Sequence, residues 1–124
     1  GVFWFQGWSD CDTLAHATDH EDNLTALIEG TNGIRSILGE MSDKFRKVPV
    51  YILQSPQAWI SAAVRTSANM SALAASKQAV AALNTESHFV SDPGYSLFID
   101  DIHLTGDDLN NLLPNTMFNL IKDL

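Results

Sequence analysis

Two short, largely apolar stretches, Val2-Phe3-Trp4-Phe5 and Pro49-Val50-Tyr51-Ile52-Leu53-Gln54, constrain this chain most. Each is rich in β-branched and aromatic residues, and neither alternates with polar ones, the pattern of strands covered on both faces. Gly7 ends the first run, and Ser55 and Pro56 close the second. Between them Leu24, Leu27, Ile28, Ile34, Leu38, Met41 and Phe45 recur at helical spacing, which predicts a helix over 21–45, weakened near Gly30 and Gly33. Strand, helix, strand is the unit of a parallel sheet.

The alanine-rich stretch from Ala58 to about Leu83 predicts a second helix, with Val80 to Leu83 as an alternative short strand. Residues 84–98 read as an irregular connection turning at Asp92, Pro93 and Gly94. Thr105, followed three positions later by Asp108, reads as a helix cap. Leu109, Leu113, Met117, Leu120, Ile121 and Leu124 continue it as a closing amphipathic helix that Pro114 kinks or divides. Two or three strands make a small sheet, so the architecture is expected to be incomplete at its front.

Charge and cysteine content narrow the function classes. Seven Lys and Arg against 15 Asp and Glu give a formal charge of −8, and no basic footprint for nucleic acid is visible. No apolar run reaches the roughly 18 residues of a membrane span. Cys11 is the only cysteine, which excludes an intrachain disulfide and a cysteine-based zinc site. Asn23-Leu24-Thr25 and Asn69-Met70-Ser71 satisfy the glycosylation pattern, which matters only for a protein secreted by a eukaryote.

Three groups of residues could carry chemistry. Asp100 and His103 lie near Asp101 in a polar interval before the last helix, where a carboxylate could orient the imidazole as a general base for a serine. The simpler reading makes Asp100 a turn cap and His103 a surface residue. Gln6, Gly7, Trp8, Ser9 and Asp10 follow the first strand, where α/β proteins place ligand crevices. The Gln6 amide and the Gly7 N–H could face a developing oxyanion, or the stretch could be a rigid turn with Trp8 folded onto the core. His16 and His20 are an i,i+4 pair flanked by Asp12, Asp19 and Asp22. Lacking the Glu of a metalloprotease helix, they read as a solvated acidic turn rather than a metal site. His88 reads as a loop histidine packed at an edge.

Together the blocks Phe3-Trp4-Phe5-Gln6-Gly7-Trp8-Ser9-Asp10 and Asp100-Asp101-Ile102-His103 resemble the SGNH hydrolases, specifically the sialate O-acetylesterase-like branch that includes carbohydrate acetylesterases. Asn23-Leu24, Leu27-Ile28, Val48-Pro49-Val50, Trp59 and Val64-Arg65 fall between them in the family's order. The resemblance implies a three-layer α/β/α flavodoxin-like fold, with residues 1–124 forming the C-terminal portion of a single domain. It also implies catalytic His103 with Asp100 as its orienting carboxylate, and Gln6 and Gly7 in the oxyanion hole. Trp8 stands where the family commonly has Glu and is a candidate substrate contact.

The implied activity is hydrolysis of O-acetyl esters of carbohydrates without a metal or organic cofactor. The family's nucleophilic serine would precede residue 1, and Ser9 is not its replacement. An upstream Ser-bearing segment is therefore the expected partner, and the chain alone is expected to have little or no esterase activity. The alternative is a non-catalytic carbohydrate-binding or protein-assembly domain that uses Trp8 as a platform. Neither reading fixes the compartment, cytoplasmic or exported to the periplasm or beyond.

Overall fold

The computed structural model describes residues 1–97, 99–100 and 103–122. Its centre is a three-stranded parallel sheet in the order β1 (Val2–Trp4), β2 (Val50–Leu53), β3 (Ser87–Val90). All four residues of β2 are buried, as its unbroken apolar run requires. The third strand falls inside 84–98, so that stretch is not wholly irregular. Ser87-His88-Phe89-Val90 forms only an edge, where a short half-polar segment suffices.

Each crossover is helical. The first holds α1 (Leu14–Glu29) and α2 (Ile34–Met41), and the second holds α3 (Ala58–Ser61) and α4 (Ser67–Ala82). The predicted 21–45 helix is therefore two helices separated at 30–33, followed by a 3-10 turn over Asp43–Lys47. Its start lies earlier than the apolar pattern indicates because Thr13 caps α1, its hydroxyl accepting from the His16 N–H at 3.1 Å. Likewise the 58–83 helix is two. Ala63 adopts φ 58°, and Thr66 caps α4 by accepting from the Asn69 N–H at 3.2 Å. Val80 lies within α4, which rules out the alternative strand.

The two long helices α1 and α4 pack on each other and on one sheet face. Leu24 and Ile28 of α1, Val80 of α4, and Val50 and Ile52 of β2 form a closed cluster there, with Val2 and Trp4 against it. Burying each such aliphatic side chain contributes about 1.5–3 kcal/mol. On the opposite face the register aligns Phe3, Tyr51 and His88, whose rings stack at 4.8 and 5.2 Å. His88 thus belongs to a strand rather than a loop.

The Tyr51 hydroxyl donates to the Leu120 carbonyl at 3.3 Å, tying α5 (Leu113–Ile121) to that second face. Before α5 the helix widens into a π turn over Asp108–Leu112, the Leu113 N–H reaching back to the Asp108 carbonyl. That wide turn accommodates Pro114, which lacks an N–H and whose ring would strike the carbonyl one regular turn back. The helical run therefore continues past the proline instead of dividing there. The Thr105 cap forms as expected, its hydroxyl accepting from the Asp108 N–H at 3.2 Å. Among the described residues, no helix is long and apolar enough to cross a membrane.

Candidate active site

All three strands run in one direction, so the loops after them gather at one end of the sheet. There a cavity of about 570 Å³ opens between Gln6, Gly7 and Trp8 after β1, Ser55 and Trp59 after β2, and His103 near the last helix. Residues 5–10 and His103, separated by most of the chain, thus line one cavity.

The segment around His103 is held in two ways. Leu97 and Leu104 form an antiparallel bridge, and the Thr105 N–H donates to the Ser96 carbonyl at 3.1 Å. Between these the Asp100 carboxylate accepts the His103 backbone N–H at 3.1 Å and lies 2.7 Å from the His103 Nδ1. Turn capping and imidazole orientation are therefore performed by one carboxylate. With Nδ1–H directed at Asp100, Nε2 is the ring nitrogen left to accept a proton. The His103 side chain is about three-quarters exposed, at 76%, so the pair is open to an incoming reactant. Asp101, the other carboxylate of this block, lies outside the described residues.

On the opposite wall, the Gly7 backbone lies against β2's end so closely that an added Cβ would stand 2.1 Å from the Ser55 Oγ. Its φ of +155° also disfavours other residues. Gly7 is buried, and among the described residues its N–H meets no acceptor. A buried backbone donor without a partner is rare, and this one belongs to a residue that lines the cavity. The exposed Gln6 side chain also makes no hydrogen bond among the described residues.

Trp8 is half-buried rather than a free platform. The Arg65 guanidinium lies 3.5 Å from its ring centre, and Trp59 meets it edge-on at 5.2 Å. Arg65 also donates to the Trp8 carbonyl at 2.8 and 3.2 Å and pairs with Asp12. Ser9 lies in a 3-10 turn, Ser9–Cys11, and its neighbour Asp10 accepts from the His20 Nδ1 at 3.2 Å. His16 and His20 do share a helix, but His16 is exposed whereas His20 is buried against Asp10. Among the described residues, no group of three or more His, Cys, Asp or Glu is placed to hold a metal ion.

No family model matches the chain, and neither a curated protein nor a solved structure matches it.

Two site-supporting residues escaped the sequence pattern. Lys77 is fully buried behind the Gln6–Gly7 loop, its Nζ donating to the Gln6 carbonyl, to the Leu53 carbonyl at 2.9 Å and to the Ser55 Oγ at 3.0 Å. The signal was present: Met70, Leu73, Lys77 and Val80 share the apolar stripe of α4, and a lysine in a core register needs buried acceptors. Burial pulls its ammonium down to about 8, against the opposing attraction of Asp10 and Cys11. From its spacing His20 reads only as a poor metal ligand. Burial holds its imidazole below the ordinary value, with Asp10 opposing and Lys77 reinforcing the shift.

Proposed function

We propose that the chain is the base-and-oxyanion portion of a serine esterase of the SGNH hydrolase type, with the three-layer α/β/α fold of that superfamily. It would act on O-acetyl esters of carbohydrates once an upstream segment supplies the nucleophilic serine. The observation that carries this reading is convergence: His103, its imidazole oriented by Asp100, and Gly7, whose N–H has no acceptor among the described residues, line the same cavity. The position of β1 at the sheet edge, paired only with β2 among the described strands, leaves a side on which an upstream strand could add.

In the proposed reaction, the His103 Nε2 takes the proton of the serine hydroxyl as its oxygen attacks the acetyl carbonyl. The Gly7 N–H and the Gln6 amide donate to the tetrahedral oxyanion, while Asp100 stabilises the imidazolium through Nδ1. The imidazolium then protonates the departing sugar hydroxyl. The same nitrogen next activates water, which releases acetate and restores the serine. The alternative of a non-catalytic carbohydrate platform at Trp8 has less support, because Arg65 already covers one face of that ring.

The test uses the complete protein. A fluorophosphonate probe should label a serine upstream of Gly1, and His103→Ala should lower turnover of 4-nitrophenyl acetate by about 10²–10⁴-fold while preserving the fold. Unchanged turnover removes His103 from the reaction. Asp100→Asn should also slow it; a loss seen only with Asp101→Asn would transfer the orienting role to that carboxylate.

A further inference from the structure

Lys77 makes three hydrogen bonds, which uses every proton of an ammonium group. Its acceptors are not scattered: the Leu53 carbonyl ends β2, Ser55 follows it, and the Gln6 carbonyl lies just beyond β1. One buried cation therefore ties together two adjacent strand ends at the rim of the cavity. The Ser55 hydroxyl closes the arrangement by donating to the same Gln6 carbonyl at 3.3 Å.

The Gln6 carbonyl and the Gly7 N–H belong to one planar peptide unit, and among the described residues no peptide bond is cis. In a trans unit the C=O and N–H point in opposite directions. A carbonyl drawn inward to Lys77 therefore turns its amide hydrogen away from α4. That hydrogen belongs to Gly7, a cavity-lining residue whose N–H has no acceptor among the described residues. Rotating the peptide would give the amide other directions, but only by releasing the carbonyl from the ammonium.

We propose that Lys77 is the positioning residue of the proposed oxyanion donor: by gripping the Gln6 carbonyl from behind, it holds the Gly7 N–H toward the cavity. This inference rests on the reading of Gly7 as an oxyanion donor. Lys77 touches neither substrate nor reacting atoms; it acts through the peptide unit. An apolar side chain could fill the same space in α4 but could not orient a carbonyl.

The grip is also pH-dependent. The groups acting on the ammonium are Asp10 and Cys11 from the loop after β1, and His20 of α1 is its cationic neighbour when protonated. Because burial brings Lys77 to about 8, the third proton is lost in mildly alkaline solution. A neutral amine has two hydrogens for three acceptors, so it releases one of them or the Ser55 hydroxyl leaves the Gln6 carbonyl to donate to the amine lone pair. The Gly7 amide should then report the titration of a lysine more than sixty residues away in sequence.

The full chain, labelled with ¹⁵N and with ¹³C at lysine, tests this by NMR. In the wild type the Gly7 amide signal should move with the same midpoint as the Lys77 Cε signal, while amides in the middle of β2 stay fixed. A Gly7 signal that remains fixed while Lys77 titrates overturns the proposal, and this arm needs no variant. In Lys77→Met the Gly7 order parameter should fall from about 0.85 to below about 0.6 with the sheet intact. A folded variant with unchanged Gly7 order overturns it equally.

In the complete protein, Lys77→Met should lower kcat by about 10–100-fold with little change in KM, the pattern of a lost transition-state donor. Unchanged kcat in an enzyme that depends on His103 overturns the positioning role and leaves the esterase reading standing. Activity independent of His103 would remove the esterase reading, whereas the coupling of Gly7 to Lys77 is decided by NMR alone.

Discussion

The Arg65 guanidinium lies over the Trp8 ring, its Cζ 3.5 Å from the ring centre, and donates from Nη2 to the carbonyl of that same residue at 2.8 Å. One side chain thus fixes both the backbone and the ring of a cavity residue. The Arg65 side chain is only 12% exposed, whereas its partner Asp12 is 50% exposed, so the contacts to Trp8 outweigh the ion pair. Arg65→Ala should destabilise the fold by about 2–4 kcal/mol, through the lost charge-assisted bonds and ring contact. Arg65→Lys keeps the charge without the planar fork and should recover about half or less. Urea unfolding of the two variants checks this, and equal stability of Lys and wild type would contradict it.

His20 gives the fold a dependence on acid. Its folded-state pKa lies below the ordinary 6.5 because of burial, so the unfolded chain takes up the proton first as pH falls. Stability from this group is present above about 6.5 and is lost progressively below it. The urea midpoint should fall between pH 7.5 and pH 5, and His20→Gln should flatten that fall while lowering the midpoint at pH 7.5. An unchanged difference between the two pH values in the variant would assign the acid sensitivity elsewhere.

The parts of the fold legible in the sequence are those where burial leaves an unbroken apolar record. β2 is legible as a strand over Pro49 to Gln54, one residue beyond the observed Val50–Leu53 at each end, because both its faces are covered. β3 is not, since an edge strand with Ser87 and His88 in four residues carries no such pattern. The first half of α1 was hidden because it buries Ala17 and His20 rather than large aliphatics. Nothing in the Ala62 to Arg65 sequence announces a break: Ala63 takes a positive φ without a glycine or proline to mark it. Gln6, Gly7, Asp100 and His103 are legible through their motif context, and the structure brings Gln6, Gly7 and His103 to one cavity, with Asp100 held against His103. Lys77 and the Asp10–His20 pair depend on contacts between distant segments, and spacing along the chain cannot show which buried polar group will meet which.

Tyr95 buries a hydroxyl for which no partner is found among the described residues. Burial, with Asp92 and Asp108 nearby, pushes its phenol up to about 12, so the group stays neutral through the physiological range. Its ring packs against Phe5 at 5.6 Å, and Phe would keep that contact. Removing an unpaired buried hydroxyl removes its desolvation cost, so Tyr95→Phe should leave stability unchanged or raise it by about 1 kcal/mol. A loss above about 1 kcal/mol in thermal or urea unfolding would mean that the hydroxyl is bonded in solution.

Gly7 should be the least replaceable residue of the cavity wall, for two separable reasons. A Cβ there would stand 2.1 Å from the Ser55 Oγ and 2.9 Å from the Leu73 Cδ2, and the φ of +155° is unfavourable for any side chain. Gly7→Ala should therefore cost about 3 kcal/mol or more, combining overpacking with backbone strain. Ser55→Ala removes the nearest atom but also one acceptor of Lys77, so alone it should cost about 1 kcal/mol. The double variant then separates the causes. Relief of the Oγ clash makes it less destabilised than the sum of the singles, yet Leu73 and the backbone angle keep it well below Ser55→Ala. Urea midpoints of the four proteins give the coupling energy directly. Full additivity would show that the Ser55 contact does not limit the site, and a double variant as stable as Ser55→Ala would show that the φ angle does not.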